Sequence, residues 1–96
     1  MEQLNLQERS SQLYVIQKLP SGMIYCTNQA GAMRLLNRGR TTIWRMVQEG
    51  QLRGFKEFGQ VIVPLIDIAS MLGISEQTAY NVLIAYRLPI WQYYED

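Results

Sequence analysis

The 96 residues, 48% of them hydrophobic, suffice for one small domain with its own core, and a formal net charge of +1 makes the chain neither strongly basic nor strongly acidic. With no histidine and one cysteine, Cys26, the sequence excludes Ser-His-Asp and Cys-His triads, cysteine-based zinc sites and internal disulfides. No run approaches the ~18 apolar residues of a membrane helix and residues 1–12 lack a signal peptide's basic and apolar regions, so the expectation is a cytoplasmic, non-enzymatic protein without cofactor, metal or membrane partner.

Residues 1–12 are polar and aperiodic and read as a flexible arm. Residues 13–27 read as a β-hairpin, in which the runs Leu13 to Gln17 and Met23 to Thr27 flank the turn chemistry of Pro20-Ser21-Gly22. This hairpin either caps the core or offers an edge to another copy or partner. Thr27 or Asn28 then serves as N-cap for a helix from about Gln29 to Leu36, with Ala32, Leu35 and Leu36 inward and Arg34 outward.

Asn37-Arg38-Gly39 forms a turn: asparagine accepts a left-handed backbone at low cost and Gly39 is a tolerable N-cap for a second helix, about Arg40 to Glu49. Ile43, Met46 and Val47 form its apolar stripe, and Gly50 suits its end. The opposite face carries Thr41, Trp44, Arg45 and Gln48 with Arg40 at its start, a set of cations, hydroxyl, amide and indole suited to reading a DNA groove. Trp44 is open to two placements, on that face or tucked between the helices. From Arg34 to Lys56 the cations Arg34, Arg38, Arg40, Arg45, Arg53 and Lys56 face one acid, Glu49, so this segment carries +5 and the remainder −4. Such asymmetry attracts phosphate on one side and repels it on the other; a solvated basic face without a partner is the plainer alternative.

Leu52 to Glu57 and Val61 to Val63, joined through Phe58-Gly59-Gln60, read as a wing-type hairpin. Pro64 stops the strand and suits the first position of a helix from Leu65 to Leu72, whose Asp67 favours the helix dipole. Shifted by 36 residues, the chain repeats the helix-turn-helix layout, with Gly73 and Ser75 at the turn and a fourth helix from about Glu76 to Arg87. The outward face of this second unit, Glu76, Gln77, Tyr80, Asn81 and Ile84, is not basic, which leaves packing, self-association or a second DNA reader open. After Pro89 the aromatic and acidic tail, residues 89–96, either packs Trp91, Tyr93 and Tyr94 over the core or leaves them as a sticky patch.

The ordered set Ala32, Leu35, Leu36, Arg40, Thr42, Trp44, Arg45, Gly50, Leu52, Lys56, Gly59, Val63 and Pro64 resembles the winged-helix domains of the excisionase and MerR-like superfamily over Ala32 to Leu72, under half of the chain. The sequence departs from that pattern at Asn37, where Gly is usual, at Gly39, where Ser caps, and at Gln60-Val61-Ile62, where the family often has an Arg-aromatic-Arg wing tip. The resemblance implies Arg40, Thr41, Trp44 and Arg45 in the major groove and Arg53 and Lys56 on phosphate near the wing.

The expected fold is therefore mainly α with small β hairpins: one compact domain, 13–96, in which a helix-turn-helix plus wing (28–64) shares its core with a second helix-turn-helix-like unit (65–88). The expected function is sequence-specific binding of double-stranded DNA through Arg34, Arg38, Arg40, Thr41, Thr42, Trp44, Arg45, Gln48, Arg53 and Lys56. Its setting would be an excisionase-like recombination directionality factor or a small transcriptional regulator, with self-association on DNA and a recombinase or polymerase as partners. The competing class is a protein-protein interaction module on the same scaffold.

Overall fold

The computed structural model describes residues 19–57 and 59–94. In chain order these form strand β1 (Met23–Asn28), helices α1 (Gln29–Leu36) and α2 (Arg40–Gln48), strands β2 (Phe55–Glu57) and β3 (Gln60–Pro64), helices α3 (Leu65–Leu72) and α4 (Glu76–Ala85), and strand β4 (Trp91–Tyr94). The expected arm and the expected first strand of the hairpin, Leu13 to Gln17, lie outside the described residues.

Local chemistry sets the helix limits. Asn28 caps α1 by accepting from the Gly31 amide, and Ser75 caps α4 by accepting from Thr78. Gly39 occupies the N-cap of α2 and supplies no side-chain bond. Each helix ends on a residue with positive φ that folds the chain back onto the last turn: Asn37, Gly50, Gly73 and Arg87. At α2 the Gly50 and Gln51 amides donate to the Val47 and Met46 carbonyls, and at α4 the Arg87 and Leu88 amides donate to Ile84 and Leu83. The fourth helix therefore stops at Ala85, two residues short of the sequence expectation, because Arg87 is left-handed at φ 58°.

The main correction is to the fold class, which is mixed α/β rather than mainly α. The four strands form one antiparallel sheet in the order β2-β3-β1-β4. Asn28 lies opposite Ile62 and Thr27 opposite Val63, while Ile24 lies opposite Tyr93 and Cys26 opposite Trp91. Residues 91–94 of the aromatic tail are thus a strand paired with β1, its Trp91 and Tyr93 half-buried, and β1 finds these neighbours far along the chain. Flat, a sheet would hold β2 and β4 about 14 Å apart. Yet the rings of Phe55 and Tyr93 stack with centroids 4.8 Å apart and Tyr93 donates to Glu57 Oε2 at 3.4 Å, so the sheet is strongly curled.

Strand alternation sends Tyr25, Thr27 and Val63 to the face beneath the helices. There Val63 joins Ala32, Leu36, Ile43, Leu52 and Ile68 in one buried cluster, and Tyr25 joins Leu65 and Leu83 in a second, with Leu35 packed against both. Tyr80 meets Tyr25 edge-on at 5.4 Å. Helix α1 is the hub, its backbone close to β1, β3, α2, α3 and α4; among the described elements the backbone of α2 is close to α1 alone, and its side chains meet β3 and α3 in the first cluster.

Candidate nucleic-acid interface

Helix α2 has one fully buried side chain, Ile43, backed by the half-buried Met46 and Val47 in the first cluster. At 100° per residue, anchoring Ile43 turns Thr41, Trp44, Arg45 and Gln48 outward, and all four are exposed. Trp44 keeps 52% of its surface in solvent, which settles its placement: it does not fill the space between α1 and α2. Thr42 is half-buried beside Ile43, less available than its neighbours. Arg45 and Lys56 are exposed, and their side chains make no hydrogen bond or ion pair with the described residues; Lys56 stands on strand β2, opposite Val61.

Arg34, Arg38 and Arg40 gather on another side of the helix pair, where they line a cleft of about 330 Å³ together with Ala30, Met33 and Asn37. Arg40 Nη1 donates to Gln29 Oε1 at 2.9 Å and Arg38 Nη1 to the Asn37 carbonyl at 3.3 Å. The Arg34 guanidinium lies over the Tyr86 ring, 4.1 Å from its centroid. The sequence held no signal for Gln29 or Tyr86, since both act across helix contacts.

Arg53 is placed differently from the expectation. It forms a salt bridge to Asp67, with Nη2 3.0 Å from Oδ1 and Nε 3.1 Å from Oδ2, and its backbone amide donates to Oδ2 at 3.0 Å. The bridge ties the loop before the β2–β3 hairpin to the first turn of α3, so phosphate would have to compete with a carboxylate for this guanidinium. Burial pushes the Asp67 pKa up, but the hydrogen bonds from the Arg53 side chain and backbone and the guanidinium charge outweigh it, and the carboxyl sits below its ordinary value. A depressed carboxylate pKa contributes stability that is present above the unfolded value of about 3.9 and is lost as pH falls through the folded value. Asp67→Asn is therefore expected to lower stability at pH 7 by about 1 kcal/mol, a figure reduced for the exposure of Arg53, and to bring a smaller penalty at about pH 3, below the unfolded value. Urea unfolding at the two pH values checks this; an equal loss at both would place the effect in packing.

The face expected to be outward on the second unit is not open. Glu76, Gln77, Tyr80, Asn81 and Ile84 are all half-buried, Gln77 donates to Asn81 at 2.9 Å, and burial pushes the Glu76 carboxyl up. Ile66, Met71 and Leu72 of α3 are instead exposed. Among the described residues no helix is long and apolar enough to cross a membrane, and no three His, Cys, Asp or Glu side chains are grouped to hold a metal ion. Comparison of the chain with protein-family models, with curated proteins and with solved structures yields no match.

Proposed function

We propose that the protein binds double-stranded DNA as a winged helix-turn-helix, with α1 and α2 as the helix pair and the β2–β3 hairpin as the wing. The carrying observation is the exposed face of α2, where Thr41, Trp44, Arg45 and Gln48 project together from the helix opposite its buried Ile43. Arg45 reads base edges, its guanidinium fork matching two acceptors of guanine; Lys56 meets backbone phosphate from the wing. Within this reading Arg53 acts on DNA only through the hairpin that its bridge to Asp67 steadies.

The resemblance to the excisionase and MerR-like superfamily rests on the spacing from Ala32 to Pro64 and favours action at recombination sites or promoters, hence a nucleoid location. A second reading, a protein-interaction module, is favoured by the exposed Ile66, Met71 and Leu72 on α3.

Binding to pooled genomic fragments across a salt series tests the reading. Arg45→Ala is expected to weaken the enriched site about 5- to 150-fold, equivalent to the roughly 1 to 3 kcal/mol of one bidentate contact, and to relax discrimination at one position. Lys56→Ala is expected to weaken all fragments alike and to reduce the slope of log K against log salt by about 0.9. No binding even at low salt overturns the DNA reading and leaves the protein-interaction module; equal losses for both variants on every fragment overturn the assignment of roles.

A further inference from the structure

We propose that the cleft between Arg34, Arg38 and Arg40 is a phosphate subsite, and that Tyr86 of α4 is the residue positioning Arg34 within it. Arg34 of α1, Arg38 of the turn and Arg40 of α2 all line one cleft. Like charges repel, and none of the three is ion-paired to a described acid; an anion in the cleft relieves that cost. The partners that do hold them, the Gln29 amide oxygen, the Asn37 carbonyl and the Tyr86 ring, orient each fork without neutralising it. Each guanidinium has five N–H donors, so most remain to be used.

Phosphate suits this arrangement better than carboxylate does. Three forks offer more donors than the roughly four lone-pair sites of a carboxylate, whereas a tetrahedral phosphate presents acceptors in several directions. At about 330 Å³ the cleft has the volume of about ten waters, enough for a phosphate group and its remaining hydration. Arg38 and Arg40 also flank Gly39, the N-cap of α2, which supplies no side-chain acceptor to the first-turn amides. The positive end of the helix dipole therefore adds to the field of the guanidiniums.

Tyr86 gives the second helix pair a part in this site. Its ring sits at the end of α4, more than half exposed, and its contact with Arg34 fixes a long side chain that solvent alone would leave free. The DNA reading enters only in the source of the phosphate: under it the group belongs to the backbone beside the groove that α2 enters, while free phosphate would bring the same chemistry.

The test uses the full chain. Inorganic phosphate is titrated while the arginine Nε–Hε resonances are followed by NMR, and DNA affinity is measured across salt for native protein, Arg34→Ala, Tyr86→Phe and Tyr86→Leu. Arg34, Arg38 and Arg40 are expected to shift together while Arg45 stays still. Tyr86→Leu is expected to abolish the Arg34 shift and cut the salt slope by up to about 0.9, as Arg34→Ala does, whereas Tyr86→Phe, which keeps the ring face, preserves both. Phosphate that moves none of the three, or a Tyr86→Leu protein that keeps the Arg34 shift, overturns the proposal. DNA binding with an unchanged slope in Arg34→Ala, while inorganic phosphate shifts the three arginines of the native protein, supports the subsite with free phosphate as its source and leaves the DNA reading standing. Phosphate binding without DNA binding at low salt supports the subsite with free phosphate as its source, and the DNA reading falls alone.

Discussion

Gly31→Ala is expected to destabilise the fold by about 3 kcal/mol, although it replaces a poor helix former with the best one inside α1. Helix propensity alone would favour alanine by up to about 1 kcal/mol. The added Cβ, however, would collide with Oγ1 of Thr27, with Cβ and Cγ2 of the same residue 2.9 Å away. Thr27 cannot yield at low cost: it is fully buried, and its hydroxyl donates to the Pro89 carbonyl at 2.7 Å. Either α1 lifts from β1, an overpacking strain of about 1 to 3 kcal/mol, or Thr27 turns and leaves a buried hydroxyl unpaired, at a similar cost. Because α1 touches every other helix, both responses spread through the domain. Urea midpoints of the native and variant proteins measure the loss. In a Thr27→Ala background, where Oγ1 and Cγ2 are gone, the same substitution should cost at least about 1 kcal/mol less. A Gly31→Ala protein as stable as the native one would contradict the seating of α1 on β1.

That hydrogen bond also illustrates why the helices were legible and the sheet was not. Asn28, Asn37, Gly50, Gly73 and Ser75 act on amides and carbonyls within a turn of themselves, so helix limits could be read from residue type and spacing. Thr27 reaches Pro89 across 62 positions, and β1 pairs with β3 and β4, both distant in sequence. No local pattern encodes that choice. The strand at 91–94 did carry a signal, aromatics of high β-propensity with Trp91 and Tyr93 half-buried and Gln92 and Tyr94 exposed, which the short acidic ending obscured.

The basic face divides along the same line. Thr41, Trp44, Arg45 and Gln48 follow from helical period alone, because one buried position fixes the opposite side. Arg53 carried the same charge in the sequence yet is claimed by Asp67, fourteen residues on, and Arg34 owes its placement to Tyr86 on another helix. Counting charges found the segment; only the packing separates the guanidiniums left for a partner from the one that braces the hairpin.

Ile43→Ala is expected to cost about 3 to 4 kcal/mol and to loosen α2 before the rest of the domain. Burying isoleucine and then truncating it costs roughly 2 to 5 kcal/mol, and the value depends on how far the surroundings close over the void. Here they close little, because Ala32, Leu36, Leu52, Val63 and Ile68 are held by α1, the loop between α2 and β2, β3 and α3. A domain of this size has about 5 to 14 kcal/mol in hand, so the loss is a large fraction of the total. It falls unevenly. The helix lacks a side-chain N-cap, its backbone lies close to that of α1 alone among the described elements, and it has no second fully buried residue to hold its register. Hydrogen exchange of the α2 amides should therefore accelerate more than that of α3 or β1; under the proposed DNA reading, affinity should also fall at temperatures where the variant stays folded, since the side chains of Arg45 and Trp44 keep their outward direction only while Ile43 is seated. A truncation at Met46, only half-buried, should do less on every readout. If Ile43→Ala kept native stability and native exchange in α2, that helix would not be anchored as described, and the face proposed to read a groove would have to be reassigned.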